Sequence, residues 1–352
     1  MDSLPEGTPH RRRPRYKGKN PRDFDYKYKE HRPELYPETV DKVIASGKTP
    51  AGTHRPILLN EVLHVLRLQP KDVVVDATLG YGGHSCAILP FILPGGRLIG
   101  IDSDPVELPK TEFRLRQLGF SPEVFIPCHS NFAALPKILA ANELHGADVI
   151  IADLGLSSMQ LDNPARGFSF KSEGSLDLRM NPSKGVPAWQ YLANLDQETI
   201  IELLIENADE PHARIIAPIL VEDRDRNGLR TTTLLAQSVR RALLTLPKAL
   251  RELEGDAPIR RVFQAIRIEV NEEFQALQAF LRILPTCLNK AGRVAILTFH
   301  SGEDRRVKKS FQQQMRAGIY SATNDEVTRP SLEEIRSNPR ATSAKLRWAI
   351  KS

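Results

Sequence analysis

The sequence predicts an α/β fold: a mostly parallel sheet, interrupted by a helical insertion. Three observations carry this reading. Short, continuously apolar runs alternate with amphipathic stretches from about residue 60 to 152. Strands of that kind are buried on both faces, as in parallel sheets covered by helices. The alternation stops between residues 163 and 258 and then resumes. Several apolar runs also end in glycines or acids, at the strand ends where such sheets hold ligands.

The elements follow in order. The first fifty residues are polar and Pro-rich, an arm with one short helix (37–46) before a linker, and the compact body begins at His54. Strands are expected over 73–79, 97–102, 123–126 and 148–152, with helices over 60–66, 85–92, 106–118 and 133–141. The insertion carries helical patterns over 197–207, 213–222 and 233–246. One long helix is expected over 261–284, because Val262, Ile266, Val270, Phe274, Leu277 and Leu281 recur three or four apart. A strand over 293–299 and a final edge strand over 346–350 complete the sheet. The predicted organisation is an arm and linker (1–53), a first part of the α/β domain (54–162), the helical insertion (163–258) and a second part (259–352).

Composition narrows the function classes. Of 352 residues, 41% are apolar and 26% charged, ordinary for a globular protein. Cys86, Cys128 and Cys287 are scattered and form no C-x-x-C, so zinc knuckles and dithiol redox motifs are not indicated. Nor is there an H-E-x-x-H or a zinc-deaminase signature, so no metal is expected. Free thiols, no long apolar span and no secretory h-region point to a cytoplasmic protein without membrane contact. The net charge of +6 is almost all in the arm: residues 1–32 hold ten Lys/Arg against five Asp/Glu, and the rest 39 against 38. Arg11, Arg12, Arg13, Arg15, Lys17 and Lys19, interleaved with Tyr16, Phe24, Tyr26 and Tyr28, suit a nucleic acid backbone and its bases. A solvated tail has the same composition.

The chemistry gathers at strand ends. The run DATLGYGGHS (76–85) leaves the first strand through Gly80, Gly82 and Gly83 and opens a helix. Its sixth position is Ser85, so the dinucleotide fingerprint G-x-G-x-x-G is incomplete, and no phosphate-binding loop is present. The next strand ends in Asp102, where a carboxylate can accept both hydroxyls of a ribose. A cofactor with a ribose but no required pyrophosphate fits, and S-adenosylmethionine suits this better than NAD. Asp153 ends the fourth strand, with Ser157 in the following loop. His300 follows the fifth and could be a general base or a structural hydrogen-bond donor.

Together these motifs resemble the ribosomal RNA small subunit methyltransferase H (MraW) family. The resemblance rests on His54–Leu59, DATLGYGGHS, GIDSDP (100–105), Ser130-Asn131-Phe132, DLGLSSMQLD (153–162), RGFSF (166–170), LDLRM (176–180), FQAIRIEVNEE (263–273), TFHSGEDRRVK (298–308) and NPRATSAKLR (338–347), in the family's order. It implies a class I S-adenosylmethionine-dependent methyltransferase fold and methyl transfer to N4 of a cytidine in the decoding region of small-subunit rRNA. Carried over by motif, the cofactor contacts are Gly82, Gly83, His84, Asp102, Phe132, Asp153 and Gln160. The catalytic candidates are Asp153, Ser157 and His300, because a delocalised exocyclic amine needs acceptors around its protons. A flipped base needs stacking surfaces, and Arg166, Phe168, Arg179 and Tyr191, with Phe170, are the substrate candidates; the phenylalanines can equally be insertion core. The expected partner is rRNA, free or in the 30S particle, and the oligomeric state is left open, a homodimer being one option. Tyr81 (commonly Arg), Gly302 (usually Leu), residues 258–262 (where A-T-R is typical) and Tyr191 (Trp in many members) depart from the family pattern.

Overall fold

A computed structural model describes residues 56–352. The basic arm, its expected helix over 37–46, its aromatic residues, and His54 and Arg55 lie outside the described residues. Seven strands form one sheet in the order β3-β2-β1-β4-β5-β7-β6. They are β1 (Val73–Asp76), β2 (Arg97–Asp102), β3 (Phe125–His129), β4 (Ala147–Asp153), β5 (Leu288–Thr298), β6 (Tyr320–Thr323) and β7 (Lys345–Lys351). The first five run parallel. Strand β7 inserts antiparallel between β5 and β6. This is the class I methyltransferase sheet.

Successive residues of each buried strand feed opposite faces, as the pleat demands. Val74, Leu98, Val149, Ile151 and Leu297 pack against α1 (Leu59–Leu66), α2 (Gly83–Ile92) and α3 (Leu108–Gln117). Val75, Ile99, Ile150 and Ile296 pack against α4 (Leu135–Ala141) and, from later in the chain, two helices that flank β5. Because β1, β2, β4 and β5 are parallel and in register, Asp76, Asp102, Asp153 and Thr298 all emerge at one edge of the sheet.

The regular elements of the insertion are helices: after α5 (Ser158–Asp162) and an irregular stretch come α6 (Ala188–Ala193), α7 (Gln197–Ala208), α8 (Ala213–Asn227), α9 (Thr232–Leu243), α10 (Lys248–Glu254) and α11 (Ala257–Val270); Ser175 and Thr231 form an isolated antiparallel bridge. It has its own core, built from Leu204, Ile216, Leu220, Leu235 and Val239 among others. That core also takes Ile259, Val262, Phe263 and Ile266 of α11.

Three features differ from the sequence expectation. The long helix over 261–284 is two helices, α11 and α12 (Glu273–Cys287), although its apolar spacing continues unbroken. Glu272 takes a left-handed backbone (φ 51°), and the Asn271 amide donates to the carbonyls of Leu178 and Arg267. The break is where the insertion is tied to the α/β domain. Second, the C-terminal strand is interior: β6 covers it and is the true edge. Third, α13 (Ser301–Arg316) was not foreseen, because Val307 and Phe311 are its only large apolar buried residues. A short helix, α14 (Leu332–Ser337), precedes β7. Among the described residues no helix is long and apolar enough to cross a membrane.

Candidate active site

The glycine loop closes at the end of β1. The Gly82 amide donates to the Leu79 carbonyl at 2.6 Å, and Gly82 sits at φ +71°, in the left-handed region. A Cβ there would also come within 3.1 Å of the Thr111 methyl, so helix α3 sets how close the loop can lie. Thr111 in turn donates its hydroxyl to the Gly80 carbonyl at 2.6 Å. Gly83 and His84 then form the first turn of α2.

Asp102 faces this loop from the end of β2. One carboxylate oxygen accepts the Gly80 amide at 2.7 Å and the other the Asp104 amide at 2.8 Å. Burial raises its pKa to about 6, with those two amides pulling the other way. Each oxygen keeps a lone pair, and the side chain is half-buried. A pair of adjacent hydroxyls, as in a ribose, matches that arrangement. Ser85, the residue that spoils the dinucleotide fingerprint, donates its hydroxyl to Asp76 at 2.7 Å. Asp76 was not singled out by sequence, yet burial raises it to about 6.

Asp153 is the most perturbed acid. Burial, with the charges of Asp76 and Glu303 adding to it, raises its pKa to about 8. Its Oδ1 is buried and has no hydrogen-bond partner among the described residues. His84 Nδ1 lies 3.6 Å from its other oxygen, while His84 Nε2 is 3.1 Å from the Ile57 carbonyl. The carbonyl fixes the proton on Nε2, and burial lowers the His84 pKa to about 4. The pair is therefore a neutral contact at neutral pH, and no cation of the described chain balances Asp153. A carboxyl in that state fits a cationic ligand such as the sulfonium or ammonium of S-adenosylmethionine.

The remaining candidates fall into place around this edge. Phe132 opens a short turn after β3, half-buried, its ring 5.0 Å from Phe280. Ser157 caps α5: its hydroxyl accepts the Gln160 amide, and the Gln160 side chain accepts the Ser157 amide. The Gln160 amide group also donates to Asp104 at 2.7 Å, so Gln160 is built into the wall of the site. His300 caps α13, with Nε2 3.2 Å from Glu303 Oε1. Glu303 is buried, yet its pKa is lowered, because His300, the Phe299 amide and Arg267 outweigh the burial. The structure thus gives His300 a structural partner at the site's rim.

The substrate candidates divide. Phe168 belongs to the insertion core. Arg166 is buried, its guanidinium donating to Asp104 and to the carbonyls of Arg179 and Met180. Neither side chain is open to an RNA. Arg179 is gripped by both oxygens of Asp177 but keeps some exposure. Tyr191 is half-buried and donates to Glu269 at 3.3 Å. Asp104 and Glu303 went unrecognised, although both lie inside the quoted motifs IDSDP and FHSGED.

A model of the MraW methylase family matches residues 51–352. Ribosomal RNA small subunit methyltransferase H 1 of Lachnoclostridium phytofermentans is 48% identical over 344 residues, 97% of this chain and 93% of the relative. Ribosomal RNA small subunit methyltransferase H 2 of Alkaliphilus metalliredigens is 47% identical over 342 residues, 97% of both chains. That of Acholeplasma laidlawii, also methyltransferase H 2, is 48% identical over 341 residues, 97% of this chain and 98% of the relative. A glycine loop, a ribose-matched acid and an uncompensated carboxyl on one sheet edge agree with such a match: the chain belongs to the MraW methylase family, and S-adenosylmethionine is its cofactor.

Proposed function

We propose that the chain transfers the methyl group of S-adenosylmethionine to N4 of a cytidine in the decoding region of small-subunit ribosomal RNA. The relatives' names support the RNA, and the order of motifs supports the atom. The observation that carries the chemistry is Asp153, a half-buried carboxyl with one buried, unpartnered oxygen beside the glycine loop.

When bound, the cofactor supplies an electrophilic methyl carbon. The chain's own task is placement in near-attack geometry. Asp102 and the Gly80–Gly83 loop hold the nucleoside end, and His84, Phe132 and Gln160 close the walls. Asp153, as the carboxylate, accepts a proton of the exocyclic amine through Oδ1, which draws the nitrogen lone pair out of the ring; as the N–C bond forms the N–H bond breaks and that proton passes to Asp153 and then to water. Ser157 fixes the loop that carries it, and His300 and Glu303 brace the opposite rim. Arg179 and Tyr191 are assigned to the extruded base. Helix α13 offers a path for the backbone: Arg305, Lys308, Lys309 and Arg316 are exposed, and its acids Glu303 and Asp304 are both buried. Polyanions bind such stripes.

The test is transfer of a tritiated methyl group to small subunits, followed by digestion to nucleosides. Label in N4-methylcytidine is expected. Label in another nucleoside, or none, would refute the assignment. Asp153→Asn should abolish transfer, and full activity in that variant with unchanged cofactor affinity would remove Asp153 from its role.

A further inference from the structure

Asp104 is fully buried and receives four hydrogen bonds from three parts of the chain. One oxygen accepts the backbone amides of Val106 and Glu107 at 2.9 and 3.3 Å. The other accepts Gln160 Nε2 and Arg166 Nη1, each at 2.7 Å. Its own backbone amide donates to Asp102, the ribose-matched acid. From Arg166 the network continues into the insertion, where Nη2 donates to the carbonyls of Arg179 and Met180 at 3.1 and 2.8 Å. The Met180 amide then donates to Asn271 at 2.6 Å, at the break between α11 and α12. Beyond Met180, the loop over 181–186 returns to the sheet edge, where Asn181 lies 3.5 Å from His129 at the end of β3. Its residues 183–186 are exposed.

We infer that Asp104 and Arg166 are positioning residues that couple the cofactor's place at Asp102 to the placement of the 177–186 loop against the RNA. This rests on the methyltransferase reading above. The physical reason is the cost of a half-made network. A buried carboxylate and a buried guanidinium stabilise one another only while every partner is in place. A ligand that fixes Asp102 fixes the Asp104 amide, and with it the carboxylate that Arg166 grips. The carbonyls of 179 and 180 have no slack against that grip, so the loop is ordered from the cofactor side. By reciprocity, RNA on the loop must tighten the cofactor by the same factor.

The experiment measures affinity for a small-subunit RNA fragment by fluorescence anisotropy, with and without saturating S-adenosylhomocysteine. In the natural chain the product should tighten RNA binding by about fivefold or more. In Arg166→Met, which keeps length but loses the charge, that gain should fall to about one, read as the ratio of RNA affinities with and without the product. Arg166→Lys, which can reach Asp104 but not both carbonyls, should keep part of it. Hydrogen exchange of the natural chain supplies an arm that needs no variant: amides 177–184 should slow when the product binds. An unchanged gain in Arg166→Met, no gain in the natural chain, or no slowing of those amides overturns the coupling. Failure of the natural chain to bind the product in calorimetry would instead overturn the methyltransferase reading.

Discussion

The guanidinium carbon of Arg114 lies 3.2 Å above the ring centre of Tyr81. This contact accounts for the residue in the glycine loop that departs from the family pattern. Helix α3 holds the loop at two points, with Thr111 on the Gly80 carbonyl and Arg114 on the Tyr81 ring. Arg114 is largely buried, and a desolvated cation over an aromatic face stabilises by about 2 kcal/mol. Tyr81→Ala should lower the melting temperature and weaken S-adenosylhomocysteine severalfold. Tyr81→Arg should be worse still, since it sets two guanidinium groups face to face, and Arg114→Ala should then relieve it. A double-mutant cycle by thermal denaturation measures this, and simple additivity of Tyr81→Arg and Arg114→Ala would contradict it.

A second departure has a matching partner. A Cβ on Gly302 would lie 2.6 Å from the tip of the Phe274 ring and 3.2 Å from His300 Nδ1. Phe274 is itself pinned, with the Arg306 guanidinium 3.4 Å over its ring and His300 beside it. The space a larger residue at 302 would use is taken by Phe274. Gly302→Leu should cost about 1–3 kcal/mol through overpacking. Adding Phe274→Ala should recover part of that loss, because the two changes share one volume. Chemical denaturation of the two single variants and the pair decides the point: no recovery in the pair would mean that strain elsewhere, not the ring, excludes a side chain at 302.

Three acids at the sheet edge make stability depend on pH in an unusual direction. Asp76 and Asp102 titrate near 6 and Asp153 near 8 in the folded chain, all above the ordinary carboxyl range. These three acids therefore hold more protons in the folded state than in the unfolded state between about pH 4 and 8, and their contribution to stability falls as pH rises through that window; His84, whose folded pKa is lowered to about 4, opposes them below about pH 6.5. The Asp153 side chain keeps 31% of its surface exposed, so water screens part of the effect. Asp153→Asn should stabilise the cofactor-free chain by about 2 kcal/mol at pH 8.5, and by clearly less at pH 5, where only the first part of the linkage has been lost. The same substitution removes the ionisable carboxylate that would take the amine proton, leaving only a neutral amide oxygen, so stability and activity should move in opposite directions. Urea titrations at the two pH values are sufficient, and equal changes at both would show that Asp153 is not the group responsible. In the natural chain kcat/KM should climb towards pH 8, because it reports the free enzyme.

How much of this was legible follows from the range of each signal. Strand ends are local: an apolar run must stop where its residues leave the core, so Asp102 and Asp153 could be placed from the chain alone. The glycine loop was legible because a left-handed turn at Gly82 leaves few residues to choose from. Asp104 was not, although it is two residues from Asp102, because its role depends on Gln160 and Arg166, some sixty residues away. For the same reason the burial of Arg166 was not legible: a sequence shows an arginine but not its surroundings. The false continuity of α11 and α12 has a related origin. The apolar period reports only the phase of the buried residues, which runs on from α11 to α12 although the first packs into the insertion core and the second against the sheet. The tie from Asn271 to Leu178 and Met180 that breaks them is tertiary.

Helix α13 supplies the last expectation. Its exposed cations at 305, 308, 309 and 316 share one side at helical spacing, and the helix starts at His300, beside the site. Sixteen residues span about 24 Å, enough to follow several phosphates. If the RNA backbone lies along it, each lost phosphate contact should reduce the slope of log affinity against log salt by roughly 0.7–0.9. Lys308→Glu with Lys309→Glu should therefore flatten that slope by about 1–2 and weaken RNA binding at low salt. Cofactor affinity should stay as it was, because neither lysine reaches the glycine loop or the acids. Filter binding at four salt concentrations gives the slope directly, and a slope equal to that of the natural chain would place the RNA on another face.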